Sequence, residues 1–404
     1  MPKILQINTT VNWNSTGRIA EDIGLLMQSK GWESYIAYSR GKPNSKSHLI
    51  QIGNKWDIYK HGIYTRIYDN HGLSSKQATI NLVEQIKFLR PDIIHLHNIH
   101  GYYLNYQILF KYLSSINTPI VWTLHDCWSF TGHCSYYTFK KCERWKEGCY
   151  DCPQKSNYPA SYLFDRSKKN YHNKKNSFTS VKNMTIVPVS NWLATDVQKS
   201  FLGKFPIKVI HNGIDLNTFS PCKPEQKNIK KENKYILLGV ASIWEERKGL
   251  TDFIKLRNFL PDNYSIVLIG LSKKQIKELP QNILGIERTS NVQELAQYYS
   301  NANVFINPTW EDNYPTTNLE SLACGTPVIT YRTGGSIEAI DEKTGIIVEP
   351  GDIITLASET QRICRITETN DIRNHCRQRA LRLFDKNQRY EEYYQLYINL
   401  LNNL

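Results

Sequence analysis

The stretch Asn307–Gly335, NPTWEDNYPTTNLESLACGTPVITYRTGG, decides the fold, because it reads as a strand end, an acidic loop, a helix and a second strand. The apolar run at 304–306 precedes it and stops at Asn307 and Pro308, which interrupt regular structure. Pro315 suits the first turn of a helix, where its missing N–H costs nothing. Apolar residues at 328–331 then return as a buried strand. The pattern predicts one strand–loop–helix–strand unit of an α/β sheet.

The start of this predicted helix is a candidate anion site. Its first backbone amides, at Thr316, Thr317 and Asn318, have no partner within a helix and can hold a phosphate. Asp312 lies just before the helix and Glu320 lies inside it. Amides suit a diphosphate, and carboxylates suit the hydroxyls of a ribose and a sugar. The combination therefore predicts a site for a nucleotide-sugar, although an acidic loop before a capped helix would show the same pattern.

The spacing of these carboxylates resembles a known family. Two acidic residues eight positions apart (320 − 312 = 8), followed by LESLACGTPVI, are similar to the paired glutamates of retaining glycosyltransferases of family 4, which have the GT-B fold. The resemblance implies that Glu320 binds the nucleotide ribose and that the first carboxylate faces the donor sugar. Here the first position is Asp312 with Glu311 beside it, and either could reach the sugar.

The resemblance extends over nearly the whole chain and implies its domain organisation. Strands and helices alternate, which predicts an α/β protein with parallel sheets. The resemblance implies two Rossmann-like domains facing a cleft, with residues 1–210 binding the acceptor and residues 211–386 binding the nucleotide-sugar. A strand predicted at 207–210 leads into the crossing at His211–Asp215, HNGID. The final helix, 387–404, is expected to pack back on the first domain.

Two positions of the first domain are candidate donor contacts. Gly17 closes a polar loop after the first predicted strand, which is where an open α/β sheet presents a phosphate site, although a simple turn explains a single glycine equally well. His125 follows the apolar run 120–124 and so occupies a strand end. The resemblance implies that His125 contacts the donor sugar near the reaction centre. For His97 and His100, at the preceding strand end, we expect structural hydrogen bonds.

Cations of the second domain complete the expected site. Lys248 lies in EERKG, just before a predicted helix, and the resemblance implies that it binds the charge that develops on the leaving diphosphate. The family places an arginine five positions earlier, where this chain has Ile243, so Arg247 is the candidate substitute. Arg288 follows a predicted strand at the place where the family packs the nucleotide base. Considered without the resemblance, these residues are typical of charged surface positions.

A cysteine-rich insert spans residues 127–153 of the first domain. Cys134, Cys142, Cys149 and Cys152 fall within about twenty residues and end in a C-x-x-C pair. Four thiolates can surround a tetrahedral zinc ion, and the spacing also permits free thiols. We expect a structural zinc ion here. No catalytic metal is expected, because no D-x-D motif follows a predicted strand and the family holds its phosphates with cations and amides.

Charge and hydropathy indicate which partners and which cellular location to expect for this protein. Lys and Arg number 50 against 37 Asp and Glu, a net charge of +13, which favours anionic partners. The segment 166–182 carries Lys168, Lys169, Lys174 and Lys175 among aromatic residues and is either a solvated helix or a basic helix on an anionic membrane. The N-terminal sequence lacks a signal peptide and no apolar run could span a membrane. We expect a cytoplasmic protein, peripheral on the inner face of the plasma membrane.

The expected reaction is the transfer of a hexose from UDP- or GDP-hexose, with retention at the anomeric carbon, to a lipid-linked or oligosaccharide acceptor. The resemblance is to enzymes of capsule, exopolysaccharide or O-antigen synthesis, among them those of the colanic acid type. A nucleotide-sugar epimerase of the same fold is the alternative enzyme. A basic nucleic-acid-binding protein is the alternative outside catalysis, but no RNA- or DNA-binding motif is present.

Overall fold

The computed structural model describes residues 1–41, 44–222, 235–367 and 371–403. The lysine-rich stretch 223–234, KPEQKNIKKENK, which the sequence predicts to be a solvated loop, lies outside the described residues. The chain divides into two compact units. The first comprises Met1–His211 together with Tyr390–Leu404, and the second comprises Asn212–Arg389.

The first unit is built on a six-stranded parallel sheet with strand order β3-β2-β1-β4-β5-β6. Its strands are β1 Lys3–Ile7, β2 Glu33–Tyr38, β3 His48–Gln51, β4 Ile93–Leu96, β5 Ile120–Leu124 and β6 Met184–Pro188. Its helices are α1 Asn14–Ser29, α2 Lys55–Tyr68, α3 Lys76–Leu89, α4 Tyr106–Leu113, α5 Ser167–Phe178 and α6 Asn191–Lys199. The central strands are continuous apolar runs because helices cover both faces of such a sheet.

The second unit repeats this architecture with a six-stranded parallel sheet of order β12-β11-β10-β7-β8-β9. Its strands are β7 Tyr235–Val240, β8 Tyr264–Ile269, β9 Ile283–Ile286, β10 Val304–Asn307, β11 Val328–Tyr331 and β12 Gly345–Val348. Its helices are α7 Leu250–Arg257, α8 Lys273–Glu278, α9 Val292–Asn301, α10 Thr316–Ala323, α11 Ile353–Ile366 and α12 Asp371–Leu383. The prediction of an α/β protein with two Rossmann-like parallel sheets is confirmed.

The last helix, α13 (Lys386–Asn402), joins the core of the first unit. Its inward residues share one cluster of buried side chains with β1, α1 and β5: Tyr390, Tyr393, Leu396, Tyr397, Ile4, Ile23 and Val121. Lys30, just after α1, reinforces this packing, since its ammonium lies 3.0 Å from Glu391 Oε2. The helix therefore returns to the first unit, as the sequence predicted.

Local structure differs from the sequence predictions at three places. Helix α1 begins at Asn14, so Gly17 lies in its first turn and not in a loop. Residues 207–210 run beside β6, since Lys208 N donates to the Ile186 carbonyl (3.0 Å) and Ile210 N to the Pro188 carbonyl (3.2 Å), but they form only an isolated bridge at Ile207 and not a regular strand. Strand β3 and helix α2 have no counterpart in the sequence predictions. Throughout the described ranges, the helices lack the combination of length and apolar character that crossing a membrane requires.

Candidate functional site

The strand order of the second unit defines where a ligand can bind. β7 pairs with β10 on one side and with β8 on the other, so the chain reverses its direction of growth across the sheet between β7 and β10. In open α/β sheets, ligands bind at such a switch point, outside the carboxyl ends of the strands. The loop after β7 carries Lys248, and the loop after β10 carries Asp312. Both predicted residues therefore lie at the switch point.

Lys248 and Asp312 form the central ion pair of this site. The Lys248 ammonium lies 2.5 Å from Asp312 Oδ2, and both side chains remain partly exposed. Gly249 allows the two loops to approach, because it has a φ of +77° and a Cβ there would meet the carbonyl oxygen of Pro308 at 2.2 Å. Only glycine tolerates both the positive φ and this contact. The structure thus presents a cation and a carboxylate side by side at the strand ends.

Arg247 is fixed beside this pair by the loop after β10. Its carbonyl accepts a hydrogen bond from Trp310 N (2.7 Å), and its Nη1 donates to the carbonyl of Glu311 (3.3 Å). Its Nε also donates to Glu245 Oε2 (2.9 Å). Ile243, at the position where the resemblance expects an arginine, is exposed. The guanidinium at 247 is therefore held against the loop that carries Asp312, and its substitution for the missing arginine stays a prediction.

The two neighbouring carboxylates in this loop differ in their surroundings. Glu311 is 1% exposed, whereas Asp312 is partly exposed and reaches Lys248. The carbonyl of Asp312 also accepts a hydrogen bond from Gly335 N (3.2 Å), which ties the loop to the turn after β11. Of the two residues, Asp312 is the one whose carboxylate is accessible to a ligand.

The first turn of α10 offers backbone amides near this loop. Pro315 is the residue that caps the helix, and it provides no side-chain hydrogen bond to the first turn. Asn318 N bonds to the Pro315 carbonyl (3.2 Å), which leaves the amides of Thr316 and Thr317 as the candidate anion donors. The side chain of Asn318 is structural, since it bonds to Asn307 (2.8 Å) and to the carbonyl of Ser336 (3.0 Å).

Glu320, on the second turn of α10, is held by a residue that the sequence did not single out. The hydroxyl of Tyr299, from α9, donates to Glu320 Oε2 at 3.0 Å. Tyr299 is fully buried, and burial together with the charge of Glu320 raises its pKa well above the usual value. The phenol therefore stays protonated and fixes one carboxylate oxygen. Glu320 is itself only partly buried.

Arg288 lies apart from the residues at the switch point. It is exposed and follows β9, the edge strand, which is separated from β7 by β8. The described contacts of Lys248 and Asp312 do not include it. Its predicted role in donor binding stays a prediction.

In the first unit, two histidines meet at the carboxyl ends of neighbouring strands. His97 follows β4 and His125 follows β5, and His97 Nδ1 lies 3.2 Å from His125 Nε2. Burial lowers the pKa of His97 well below its usual value, and that of His125 to about 4. Next to burial, the charges near His125 act in opposite directions, since Asp126 raises its pKa and His100 lowers it. Both rings are therefore neutral near pH 7.

Gln6, a polar residue inside the apolar strand β1, determines which nitrogens of these rings carry protons. Its Nε2 donates to the Ala20 carbonyl (2.7 Å), which turns its Oε1 towards His97 Nε2 (3.0 Å). Because Oε1 only accepts, His97 Nε2 carries the proton and His97 Nδ1 is an acceptor. His125 Nε2 must then donate to it. In neutral His125 this leaves Nδ1 as the acceptor nitrogen of the ring.

The returning helix α13 supports the strands that carry these histidines. Tyr397 OH lies 2.7 Å from His95 Nδ1, and His95 Nε2 lies 2.8 Å from Thr123 Oγ1. Tyr393 OH lies 3.0 Å from the same threonine hydroxyl. These buried bonds connect β4 and β5 one residue before the last residue of each strand. They give the C-terminal helix a part in positioning the histidines.

Gly17 is required by packing within the first unit. A Cβ at this position would lie 2.7 Å from Thr10 Oγ1, and the Gly17 carbonyl accepts a hydrogen bond from Asn12 N (2.9 Å). Trp13, which precedes α1, makes no side-chain cap to the first turn. The structure accounts for the glycine through the turn that precedes α1, and its predicted donor contact stays a prediction.

The four predicted zinc ligands lie in the loops between β5 and α5. Cys134 and Cys149 are buried, whereas Cys142 and Cys152 are half-buried. A hydrogen bond with Cys152, followed by burial, raises the pKa of the Cys134 thiol, and the same bond lowers the pKa of Cys152 to about 7. Across the described residues, no three His, Cys, Asp or Glu side chains are arranged to hold a metal ion. The zinc ion therefore stays a prediction, which a metal assay of the purified protein decides.

Helix α5, for which the sequence offered membrane contact as one interpretation, buries its apolar side chains within the first unit. Its aromatic residues Tyr171 and Phe178 are buried, and so is Lys174, whose ammonium donates to the carbonyls of Trp128 (2.6 Å) and Thr131 (3.0 Å). Lys168, Lys169 and Lys175 are exposed. The helix thus presents charge to solvent but buries the apolar side chains that would enter a bilayer.

Two family descriptions match the sequence. Residues 16–218 match the description of Glycosyltransferase Family 4, and residues 234–365 match that of Glycosyl transferases group 1. The two matches fall on the two parallel sheets and include the histidines of the first unit and the Lys248–Asp312 pair of the second. The chain belongs to glycosyltransferase family 4 and is a glycosyltransferase.

Individual relatives agree with this assignment. Over 421 residues the chain is 24% identical to WcaC of Escherichia coli K12, named as a colanic acid biosynthesis glycosyl transferase, with 98% of this chain and 100% of that protein covered. It is 26% identical, over 48% of this chain and 54% of that protein, to N,N'-diacetylbacillosaminyl-diphospho-undecaprenol alpha-1,3-N-acetylgalactosaminyltransferase of Campylobacter jejuni.

Solved structures share the fold. Sucrose-phosphate synthase from Thermosynechococcus elongatus superimposes with a TM-score of 0.71 at 17% identity, with both chains covered completely. HepE of Anabaena, solved in complex with UDP-glucose, superimposes with a TM-score of 0.65 at 15% identity, again over 100% of each chain. These likenesses identify the fold as GT-B.

Proposed function

We propose that this glycosyltransferase moves a hexose from a nucleoside-diphosphate sugar to a lipid-linked or oligosaccharide acceptor in surface polysaccharide synthesis, with retention at the anomeric carbon. The observation that carries the proposal is the Lys248–Asp312 pair at the switch point of the second sheet. It combines a cation for the diphosphate with a carboxylate for the sugar. Family membership favours transfer over the alternatives of epimerisation and nucleic-acid binding.

Different residues of the second unit are proposed to bind different parts of the donor. Lys248, assisted by Arg247 and by the amides of Thr316 and Thr317, would bind the diphosphate. A cation that holds the leaving diphosphate lowers the barrier because its negative charge grows as the glycosidic bond breaks. Glu320, fixed by Tyr299, would accept hydrogen bonds from the ribose hydroxyls. In the same proposal Asp312 faces the sugar.

The donor and acceptor classes rest on the relatives. HepE was solved with UDP-glucose, which favours a UDP-hexose over a GDP-hexose. The names of WcaC and of the Campylobacter enzyme point to colanic acid and to a diphospho-undecaprenol acceptor, respectively. A lipid-linked acceptor would keep the enzyme at an anionic membrane surface on the cytoplasmic side. His125, whose acceptor nitrogen is Nδ1, is the proposed contact of the first unit with the donor sugar.

The experiment that tests this proposal is an assay of a panel of UDP- and GDP-hexoses, with and without an undecaprenyl-diphosphate sugar as acceptor. Release of the nucleoside diphosphate with formation of a new glycosidic bond supports transfer. Proton NMR of the anomeric signal shows whether the configuration of the donor is retained. A second nucleotide-sugar formed in the absence of acceptor would instead identify an epimerase. Because cations and amides are proposed to hold the diphosphate, activity should not require added Mg²⁺ or Mn²⁺.

A further inference from the structure

Aromatic and aliphatic side chains of the first unit are exposed together in one place. Helix α2 exposes five such side chains along its length, and the loop before α5 exposes three more. We call this set the aromatic surface; it consists of Trp56, Tyr59, Ile63, Tyr64, Tyr68, Tyr162, Leu163 and Phe164. Trp56 is 71% exposed and Leu163 is 67% exposed. A cluster of this kind on a protein surface marks an interaction site more often than single exposed residues do.

Backbone hydrogen bonds hold the loop part of the aromatic surface against the C-terminal end of α2. Tyr162 N donates to the Arg66 carbonyl (2.7 Å), and Phe164 N donates to the Ile67 carbonyl (3.3 Å). The rings of Tyr68 and Phe164 stack with centroids 5.8 Å apart, and those of Tyr64 and Tyr68 lie 5.9 Å apart. The exposed side chains are therefore held in place by the fold and do not belong to a loose segment.

Cations alternate with these side chains. Lys55, Lys60 and Arg66 are exposed on α2, and the guanidinium of Arg166 lies over the rings of Tyr68 and Phe164 at 5.9 and 6.0 Å. The nearby carboxylates have local partners. Asp57 accepts a hydrogen bond from Asn54 N (2.9 Å), and Asp165 accepts one from Ser167 N (2.8 Å). Four cations against these two carboxylates leave the aromatic surface with a net positive charge.

We propose that the aromatic surface docks on a bilayer containing anionic phospholipids. Trp and Tyr favour the boundary between headgroups and acyl chains, and neighbouring Lys and Arg side chains gain energy from anionic headgroups. Lys55 and Lys60 favour a bilayer over a protein partner, because lysine is depleted in the cores of protein interfaces whereas anionic headgroups attract it. This proposal rests on the proposed use of a lipid-linked acceptor, because docking would bring the enzyme to the bilayer that holds such an acceptor. Docking is measured without donor or acceptor, so it can fail while glycosyl transfer is retained, and the reverse.

The test is flotation of the full chain with vesicles of phosphatidylcholine, alone or mixed with phosphatidylglycerol. The double variant Trp56→Ser/Leu163→Ser removes two of the most exposed side chains. We expect its apparent affinity for the anionic vesicles to fall on the order of 10-fold or more. The matched control is Phe88→Ser on α3, because Phe88 is 92% exposed but lies outside the aromatic surface. Its affinity should remain within about two-fold of the wild type.

A second measurement follows Trp56 directly. Brominated phospholipid should quench part of the tryptophan fluorescence, and Trp56→Phe should remove most of that quenching while the protein still binds vesicles. Equal loss of binding in the double variant and in Phe88→Ser would overturn the proposal. Binding that is the same with neutral and anionic vesicles would also overturn it. So would a wild-type dimer that the double variant converts to a monomer with vesicle binding unchanged.

Discussion

Lys248 Nζ lies 2.5 Å from Asp312 Oδ2, so the cation proposed to bind the diphosphate is held by the carboxylate proposed to face the sugar. The two residues come from loops that follow neighbouring parallel strands, β7 and β10. A pair of this kind holds the ammonium in position before the substrate binds, and a group that need not reorganise is the condition under which electrostatic stabilisation is most effective.

Removing the charge of Asp312 should separate binding from turnover. Asp312→Asn keeps the size of the side chain but frees the Lys248 ammonium from its partner. We expect kcat to fall by on the order of 100-fold, because the cation loses its fixed position and the sugar loses its carboxylate. UDP should bind as tightly as before or tighter, since Lys248 is no longer neutralised. Calorimetry with UDP and steady-state rates measure both effects.

The control for this variant is Asp262→Asn, an exposed aspartate of the same unit, which should leave both quantities unchanged. A variant at 312 that loses UDP affinity and turnover in equal proportion would assign Asp312 to ground-state binding and contradict this account.

Glu320 should recognise the ribose of the donor and not its phosphates. Glu320→Gln replaces a charged acceptor by a neutral one and should weaken UDP binding by about 1–3 kcal/mol. The same variant should bind 2′,3′-dideoxy-UDP as well as the wild type does, because that nucleotide lacks the hydroxyls in question. Isothermal titration of both nucleotides against both proteins gives the four affinities. An equal loss for the two nucleotides would refute the ribose contact.

Tyr299 should act through Glu320 and therefore have a smaller effect. Tyr299→Phe removes the hydroxyl that donates to Glu320 Oε2 and keeps the buried ring. UDP affinity should fall by about 0.5–1.5 kcal/mol, the net contribution of one hydrogen bond. In the double variant with Glu320→Gln this loss should largely disappear, since the two residues share one interaction. Fully additive losses would show that Tyr299 acts independently.

The protonation of His125 is a direct consequence of Gln6. In the wild type, nitrogen-15 NMR of the ring should show His125 with its proton on Nε2 near pH 7, and the ring should remain neutral down to about pH 4. Gln6→Leu removes the acceptor that fixes His97 and should give a mixture of tautomers at His125. Detecting the Nδ1-protonated form as the main wild-type species would contradict this assignment.

Buried histidines should make the protein sensitive to acid. Burial lowers the pKa of His61 to about 3 and that of His125 to about 4, and it lowers those of His71, His95 and His97 well below the usual value. Between these values and about 6.5, the unfolded chain binds protons that the folded protein does not. The free energy of unfolding should therefore rise with pH across this range and fall on acidification.

Each such histidine contributes a slope of up to about 1.4 kcal/mol per pH unit. Urea unfolding between about pH 4.5 and about pH 7.5 measures the summed contribution of these histidines to the free energy of unfolding. Both limits lie roughly one unit or more from the ordinary histidine pKa. A stability that is independent of pH in this range would show that the histidines titrate normally in the folded state.

Much of the fold could be predicted from the sequence, and particular residues show why. Continuous apolar runs such as 304–306 and 120–124 end at polar residues, and this predicts buried parallel strands whose ends carry the site. Helix α2 escaped prediction because its tryptophan and tyrosine side chains are exposed, whereas its buried positions are His61, Gly62 and Thr65, so no apolar stripe marks the buried face. Residues 207–210 were predicted as a strand; they do run beside β6, to which Lys208 N and Ile210 N donate hydrogen bonds, but they form only an isolated bridge and not a regular strand.

The site was predictable where a residue follows a strand, and not where it supports another side chain. Lys248, Asp312 and Glu320 belong to short sequence motifs, and their spacing within these motifs predicts their place in the site. Tyr299 belongs to a different helix, and its contact with Glu320 depends on packing that sequence spacing does not encode. Gln6 offered one signal, since a polar residue within a buried apolar strand requires a hydrogen-bond partner.

The central claim is that Lys248 holds the leaving diphosphate during glycosyl transfer. The most direct measurement is the rate of nucleoside diphosphate release from the best UDP- or GDP-hexose, with acceptor present, by the wild type, Lys248→Ala and Lys255→Ala. Lys255 is an exposed lysine on α7 and serves as the matched control. The account predicts a loss of about 100-fold or more in kcat for Lys248→Ala, with its fold retained, and a wild-type rate for Lys255→Ala. A folded Lys248→Ala variant that turns over at the wild-type rate would contradict it.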